Sequence, residues 1–303
     1  MIKHALVGIW RGDEEYYIEL SEERYYQLKT ARAYLFEMLS IEDKFNLVLE
    51  NYAEFERELL NSSVSTMIFR KEDWSSHIDE IHLINRRLIN LLTTCRLYID
   101  QTAHNICSIY GKDSEQEKVV ERQKNLEYDS TTQPGYRVME SIRNYVQHRE
   151  LPVYGVRHNA LSQGDTVKHT IEIDVNIKTL AEDKKFKRKI IEELEKRSRG
   201  NSINLVPLVR EYIASIGKIH LKIRDLIKPD LLQWETILQE VISEYYNSTR
   251  FSEGLTLVVD DSGTIIESLE IFNDFMKRRQ SLENKNEYIS HYSSHFISSE
   301  IPN

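Results

Sequence analysis

The chain has 303 residues, of which 40% are hydrophobic and 29% are charged. This balance is typical of a folded globular protein and excludes a disordered chain. Only 10 glycines and 5 prolines are present, so few residues interrupt long helices. The formal net charge is −9, which argues against a bulk nucleic-acid binder, because RNA would have to bind at a local basic patch.

The two cysteines and the first residues bear on the compartment. Cys95 and Cys107 fall on one predicted helix, where about 18 Å would separate them, too far for a disulfide. Free thiols indicate a reducing compartment. The N-terminal residues lack a signal-peptide pattern, and no apolar run approaches membrane-spanning length. The sequence therefore predicts a soluble, cytoplasmic protein without a membrane partner.

The first half of the chain predicts one strand pair followed by helices. Apolar residues that recur at three- and four-residue steps mark the helices, and Ser21 before Glu22 marks the first helix start. The predicted elements are a strand pair at residues 4–20 around Arg11-Gly12-Asp13, a helix to about residue 62 with a break near Ser40-Ile41-Glu42, a helix at 73–110, a short polar helix after residues 113–118, and a helix from Pro134-Gly135 to about Glu150.

The second half changes period and then returns to helix. Alternating apolar residues predict a β-hairpin at 153–177 with a loop from Asn159 to Asp165. Later elements are helices at 182–198, 203–227 and 230–248, a hairpin at 255–266 and a helix to about 282. The simplest organisation is one mostly helical domain at 1–282, followed by a polar, mobile tail at 283–303.

The helix before Leu151-Pro152 carries the residues that point to chemistry. On a helical wheel one arc is apolar, with Val138, Met139, Ile142, Tyr145 and Val146. The opposite arc holds the polar residues Arg137, Glu140, Ser141, Arg143, Asn144, Gln147 and His148. Asn144 and His148 are four positions apart, so they are neighbours on the helix surface.

Three of these polar residues suit RNA cleavage without a metal. The imidazole of His148 can move protons to or from the 2′-OH and the leaving 5′-oxygen near neutral pH. The guanidinium of Arg143 can bind two phosphate oxygens of the charged transition state. Asn144 can orient the imidazole or bind a phosphate oxygen, and Glu140 and Gln147 have supporting positions.

Arg143-Asn144-Tyr145-Val146-Gln147-His148 resembles the R-x(4–6)-H motif of the HEPN superfamily, in the form in which Asn follows Arg. That family consists of helical bundles, many of which are metal-independent endoribonucleases in toxin, abortive-infection and antiviral systems. The resemblance implies that Arg143 and His148 are the catalytic pair and that Asn144 is an accessory residue. It also implies a symmetric dimer, in which the motif helices of two chains face each other across one cleft.

Basic residues near the motif predict contacts to RNA phosphates. The predicted RNA-binding residues are Arg137, Arg149, Arg157, His158 and Lys168. An ordinary charged surface hairpin accounts for the same residues equally well. No His, Cys, Asp or Glu cluster with metal-ligand spacing surrounds the motif, so we predict no metal and no cofactor.

The sequence thus predicts a mostly α, HEPN-like helical bundle with small β-hairpin insertions. Its predicted function is that of a metal-independent endoribonuclease acting as a toxin or antiviral-defence effector. RNA is the expected substrate, a second copy completes a homodimer, and an antitoxin or defence-system protein is a further expected partner. Two alternatives stay open: a non-catalytic interaction or dimerisation module, and an RNA-binding protein that does not cleave. Arg143 and His148 in a shared open cleft would favour catalysis, whereas surface salt bridges at each would favour the alternatives.

Overall fold

The computed structural model describes residues 2–8, 17–69, 73–250, 252–271, 273–287, 292, 294, 295 and 297. Eight helices and seven strands occur in this part of the chain, so the prediction of a mostly α protein is confirmed. The helices are α1 (Glu22–Ile68), α2 (Trp74–Tyr110), α3 (Glu115–Tyr128), α4 (Gly135–His148), α5 (Ile177–Glu182), α6 (Arg188–Arg197), α7 (Val206–Thr249) and α8 (Asn273–Lys285). The strands are β1 (Ile2–Gly8), β2 (Tyr17–Leu20), β3 (Val153–Gln163), β4 (Thr166–Asn176), β5 (Ser202–Asn204), β6 (Leu255–Asp261) and β7 (Thr264–Ile271). Within the described ranges, no helix combines the length and the apolar character that crossing a membrane requires.

The chain divides into two compact units, each assembled from separated stretches. The first contains residues Met1–Asp43, Gln101–Glu117 and Ile223–Glu287, and the second contains Lys44–Asp100, Lys118–Lys222 and Tyr288–Asn303. The motif helix α4 belongs to the second unit. Helical periodicity gives no sign of this division, and the single domain at 1–282 stays a prediction.

The first unit carries an antiparallel sheet in the order β2-β1-β6-β7. Its strands contain the predicted N-terminal strand pair and the predicted hairpin at 255–266, and His4 of β1 pairs with both Leu20 and Val259. The expected turn at Arg11-Gly12-Asp13 lies outside the described residues. Lys285 ends α8, and the next residue, Asn286, is buried. The predicted tail therefore starts inside a helix, and most of the rest of it lies outside the described residues.

Two predicted helix breaks are wrong. The first helix continues through Ile41 and Glu42 because both are buried, and Arg224 holds the Glu42 carboxylate with two hydrogen bonds of 2.8 and 2.6 Å. The helix α7 also continues through Pro229. Buried Ile227 and Leu231 extend its apolar stripe past that proline, and this burial offsets the hydrogen bond that proline cannot donate.

The second unit carries the three-stranded sheet β3-β4-β5. The predicted hairpin is present, but its expected loop from Asn159 to Asp165 is wrong, because paired strands continue to Gln163 and Thr166. Only Gly164 and Asp165 form the turn, and Gly164 has a φ of +62°, which favours glycine. The strand β5 is only three residues long, too short for an alternating pattern to predict.

Candidate functional site

The motif helix α4 begins where glycine allows two helices to approach closely. A Cβ at Gly135 would lie 2.4 Å from the Glu211 Cβ and 2.6 Å from the Leu208 carbonyl oxygen of α7. The Glu211 carboxylate also accepts a hydrogen bond of 2.9 Å from the Gly135 N–H. This acceptor satisfies one of the free N–H groups of the first helical turn, so α7 fixes the start of α4.

The apolar face of α4 agrees with the helical wheel. Val138, Met139 and Ile142 are fully buried and Tyr145 is nearly so. The Tyr145 hydroxyl donates a 2.6 Å hydrogen bond to Glu150. Burial raises the pKa of Tyr145, and the Glu150 carboxylate raises it further. This bond ties the residues just after the motif back onto the helix.

Arg137 departs from the wheel, which placed it on the polar arc. Its side chain is 9% exposed and forms two hydrogen bonds with Glu193 of α6, at 2.8 and 2.6 Å. The guanidinium also donates to the carbonyl oxygens of Tyr128 and Ser130. These bonds hold the pKa of Glu193 below its ordinary value. Arg137 was predicted to contact RNA, but its side chain is buried and its donors are engaged in hydrogen bonds within the protein.

Glu140 is also less free than expected. It is half-buried, accepts a 2.7 Å hydrogen bond from the Tyr212 hydroxyl and lies 3.4 Å from the Arg96 guanidinium. Its carboxylate therefore links α4 to α2 and α7. The supporting role predicted for Glu140 can only be one of positioning the helix, since its oxygens are engaged by these neighbours.

The three motif residues have few partners. Arg143 Nη1 donates a 2.8 Å hydrogen bond to the Asn144 side-chain oxygen, while Arg143 Nε is buried without a hydrogen-bond partner. His148 is exposed in the last turn of α4. Among the described residues, neither Arg143 nor His148 forms a salt bridge. The surface salt bridges that would favour a non-catalytic helix are therefore not formed at these two residues.

An open cleft of about 380 Å³ runs along α4. Asn144 lines it, together with Ser141 and Tyr145 of the same helix. Arg143 and His148 do not line it. The other lining residues come from α2, α3, the first half of α4 and the α5–α6 connection: Arg96, Glu121, Lys124, Asn125, Tyr128, Tyr136, Glu140, Asp183, Lys185, Phe186 and Lys187. The cleft thus reaches the motif at Asn144.

A buried amide fixes the chain that leaves the motif helix. Asn85 of α2 donates a 2.8 Å hydrogen bond to the Val153 carbonyl oxygen and accepts one of 3.2 Å from the Val153 N–H. The start of β3 is therefore held to α2 within a few residues of His148. The sequence analysis missed this positioning residue, because an Asn inside a helical pattern gives no signal of a distant backbone partner.

The four remaining predicted RNA-binding residues each lie in different surroundings. Arg149 is exposed just after α4, with Asp183 3.5 Å away. Arg157 pairs with Glu172 and Asp174, and His158 lies 3.0 Å from Glu80. Lys168 is exposed near the tip of the β3–β4 hairpin. The structure therefore does not gather these residues into one basic surface. Gln147, which was predicted as a supporting residue of the motif, is exposed on α4.

Sequence reasoning missed the basic residues that do line the cleft. Five of the six positions from 184 to 189 are Lys or Arg, and Lys185 and Lys187 are cleft residues. A basic run of this length is a recognised signal for anionic partners, and it stood in the segment that was taken only as the start of a helix.

Comparisons with family models, with curated proteins and with solved structures gave no match. The likeness to the HEPN superfamily therefore rests on the motif in α4 and stays a prediction. Among the described residues, no group of three or more His, Cys, Asp or Glu side chains is placed to hold a metal ion.

Proposed function

We propose that this chain is an endoribonuclease that cleaves RNA without a metal ion, using Arg143, Asn144 and His148 of α4. The observation that carries the proposal is the state of Arg143. Its Nε is buried without a hydrogen-bond partner, and no described carboxylate pairs with its guanidinium. An unsatisfied buried donor costs about 1–3 kcal/mol, and such groups call for a functional explanation. When the Arg143 side chain turns outward, a phosphate would supply the missing acceptor.

The chemistry requires one nucleophile, one leaving group and two proton movements. The 2′-oxygen attacks the neighbouring phosphorus, the bond from phosphorus to the 5′-oxygen breaks, and a 2′,3′-cyclic phosphate and a free 5′-OH result. His148, exposed and unpaired among the described residues, serves as the general base that takes the 2′-OH proton or as the general acid that gives a proton to the leaving 5′-oxygen. Arg143 stabilises the charge that develops on the phosphate.

The role of Asn144 follows from two observations, its hydrogen bond with Arg143 and its position in the cleft. Its side-chain oxygen accepts the hydrogen bond from Arg143, and the residue lines the cleft. This arrangement orients the guanidinium and leaves the Asn144 amide N–H groups available to an RNA strand in the cleft. The proposal includes a homodimer, because a second copy of α4 would bring two imidazoles to one site and supply both an acid and a base.

The proposal is tested by incubating the purified protein with a mixed RNA substrate in excess EDTA. We expect cleavage to persist and the products to carry 2′,3′-cyclic phosphate and 5′-OH ends. Arg143→Lys keeps the charge but loses the planar fork, and we expect it to be severely impaired. Activity that EDTA abolishes and Mg²⁺ or Mn²⁺ restores would contradict the mechanism.

One alternative is favoured by a specific observation. The basic residues of the α5–α6 connection and the cleft that they line also suit an RNA-binding protein that does not cleave. In that case the EDTA experiment would return intact RNA at every protein concentration, while RNA binding would still be measurable.

A further inference from the structure

The α5–α6 connection concentrates positive charge in an acidic protein. We call Lys184, Lys185, Lys187, Arg188 and Lys189 the basic strip. All five side chains are exposed. Because the whole chain has a net charge of −9, a segment this basic attracts anions only locally and within about one Debye length, roughly 8–10 Å.

Buried neighbours hold the strip in one conformation. Asp183 accepts a 3.0 Å hydrogen bond from the Lys185 N–H, and both Asp183 and Phe186 are buried. The Phe186 N–H donates to the Asp183 carbonyl oxygen at 2.8 Å. A binding segment that is already ordered loses less conformational entropy when a ligand binds, so the strip is preorganised for binding.

The charges of the strip are mostly not neutralised by the protein. Lys184 and Lys185 form no ion pair with any described residue. Lys187 Nζ donates a 2.6 Å hydrogen bond to the uncharged Tyr128 hydroxyl. Arg188 pairs with Glu192, but its side chain is 92% exposed, and such surface pairs contribute little. Several like charges in six residues therefore stay available to an anionic partner.

The strip also borders the cleft that reaches the motif. Lys185, Phe186 and Lys187 line the same cleft as Asn144. Lys124 also lies in its wall, where it pairs with Glu121 at 2.6 Å. A volume of about 380 Å³ is at the small end of ligand sites. A cleft of this size has room for part of a single nucleotide strand, whereas a base-paired duplex is much larger than the cleft.

From this placement we propose that the basic strip binds consecutive phosphates of single-stranded RNA and leads the strand through the cleft to Asn144. This inference rests on the proposed function for its ligand, and it assigns the binding to a segment outside the motif helix. Lys184, Lys185 and Lys187 contact the phosphates of the RNA backbone. Tyr128 presents an aromatic ring to a base, and the Lys187 Nζ lies 5.0 Å from the centre of that ring.

The test compares two triple variants. The RNA probe carries 2′-O-methyl groups, which remove the 2′-OH nucleophile and keep the strand intact whatever His148 does. One variant carries Lys184→Ala, Lys185→Ala and Lys187→Ala. The control carries Lys112→Ala, Lys222→Ala and Lys228→Ala, three exposed lysines that lie outside the cleft. Both variants lose three positive charges, so any difference reports position rather than net charge. Thermal unfolding checks that both remain folded.

Binding of a short fluorescent RNA strand is measured by anisotropy at several KCl concentrations. We expect the strip variant to bind RNA roughly tenfold more weakly than the parent. The slope of log K against log salt should be less negative by about 2, whereas the control should keep both the affinity and the slope of the parent. Equal losses in the two variants, or no loss in the strip variant, would overturn the inference. Vesicles containing anionic lipid are a second probe, and strip-dependent binding to vesicles but not to RNA would overturn it as well.

The two proposals fail separately. If the strip variant loses RNA affinity but His148→Ala still cuts, the strip inference stands and the nuclease proposal fails. If His148→Ala stops cleavage but the strip variant binds RNA as the parent does, the nuclease proposal stands and the strip inference fails.

Discussion

Arg137 and Arg143 lie six positions apart on α4 and have opposite surroundings. Glu193 and two carbonyl oxygens take up the Arg137 guanidinium, whereas Arg143 bonds only to the Asn144 amide among the described residues. A helical wheel put both on the polar arc. It could not separate them, because the partner that buries Arg137 lies 56 positions further along the chain.

The pair between Arg137 and Glu193 makes stability depend on pH. The hydrogen bonds from Arg137 lower the folded-state pKa of Glu193 below its ordinary 4.5. The ionised carboxylate therefore stabilises the fold above that pH, and this contribution is lost as the pH falls from about 4.5 through the folded-state pKa. We expect Glu193→Gln to lower the free energy of unfolding at neutral pH by about 2 kcal/mol and to flatten its decline in acid.

The neighbouring Glu192 offers a matched control. It forms an exposed pair with Arg188, which is worth little, so Glu192→Gln should leave both the stability and its acid decline unchanged. The measurement is urea unfolding from neutral to acid pH. A Glu193→Gln profile that runs parallel to the parent would contradict the assigned role of the pair.

At the scale of elements, the contact between α4 and α7 decides where the motif lies. We expect Gly135→Ala to lower the free energy of unfolding by about 1–3 kcal/mol, because its methyl group would collide with the Leu208 carbonyl oxygen and the Glu211 Cβ. This loss should exceed the gain of up to about 1 kcal/mol from better helix propensity.

Gly155→Ala in β3 is the control for that substitution. The nearest atom to a Cβ at Gly155 is the Asp174 Cβ at 3.9 Å, an ordinary contact, so this variant should keep the parent's stability. Thermal and urea unfolding measure both. Equal stabilities for the two variants would mean that α4 does not depend on a close approach to α7.

Elements with a long apolar stripe were predictable, and elements set by distant contacts were not. The bounds predicted for α2 and the start of α4 agree with the structure to within a residue or two, because periodic burial determines them. The predicted break at Ser40 and the end before Pro229 failed where a buried ion pair or a continued apolar stripe overrode local propensity. The candidate site followed the same rule: the motif was visible in the sequence, but the cleft beside it was not.

At the scale of the whole molecule, the resemblance implies a symmetric dimer. We expect light scattering or sedimentation at micromolar concentration to give about twice the chain mass of 35.9 kDa. The physical reason is that α4 exposes His148 and Gln147 on a polar surface that becomes a two-sided site only when another surface faces it. A strict monomer that still cleaves RNA would contradict the composite site.

The net charge of the chain sets a further condition on that dimer. Two chains of −9 each repel RNA and one another at long range, so activity and association should respond to salt in opposite ways. Salt screens the repulsion between chains, but it weakens phosphate contacts at the basic strip. The dimer should therefore be assayed in the same buffer as cleavage.

The most direct test of the central claim is the RNA-cleavage rate of His148→Ala in excess EDTA. The control is His169→Ala, which removes a half-buried histidine that lies on β4 and not on the motif helix. Because neither imidazole is buried, the free energy of unfolding should change by less than about 1 kcal/mol in both variants. We expect His148→Ala to lower the rate by roughly 10²–10⁴-fold and His169→Ala to leave it unchanged. A folded His148→Ala variant that cuts at the parent's rate would contradict the assignment of α4 as a ribonuclease site.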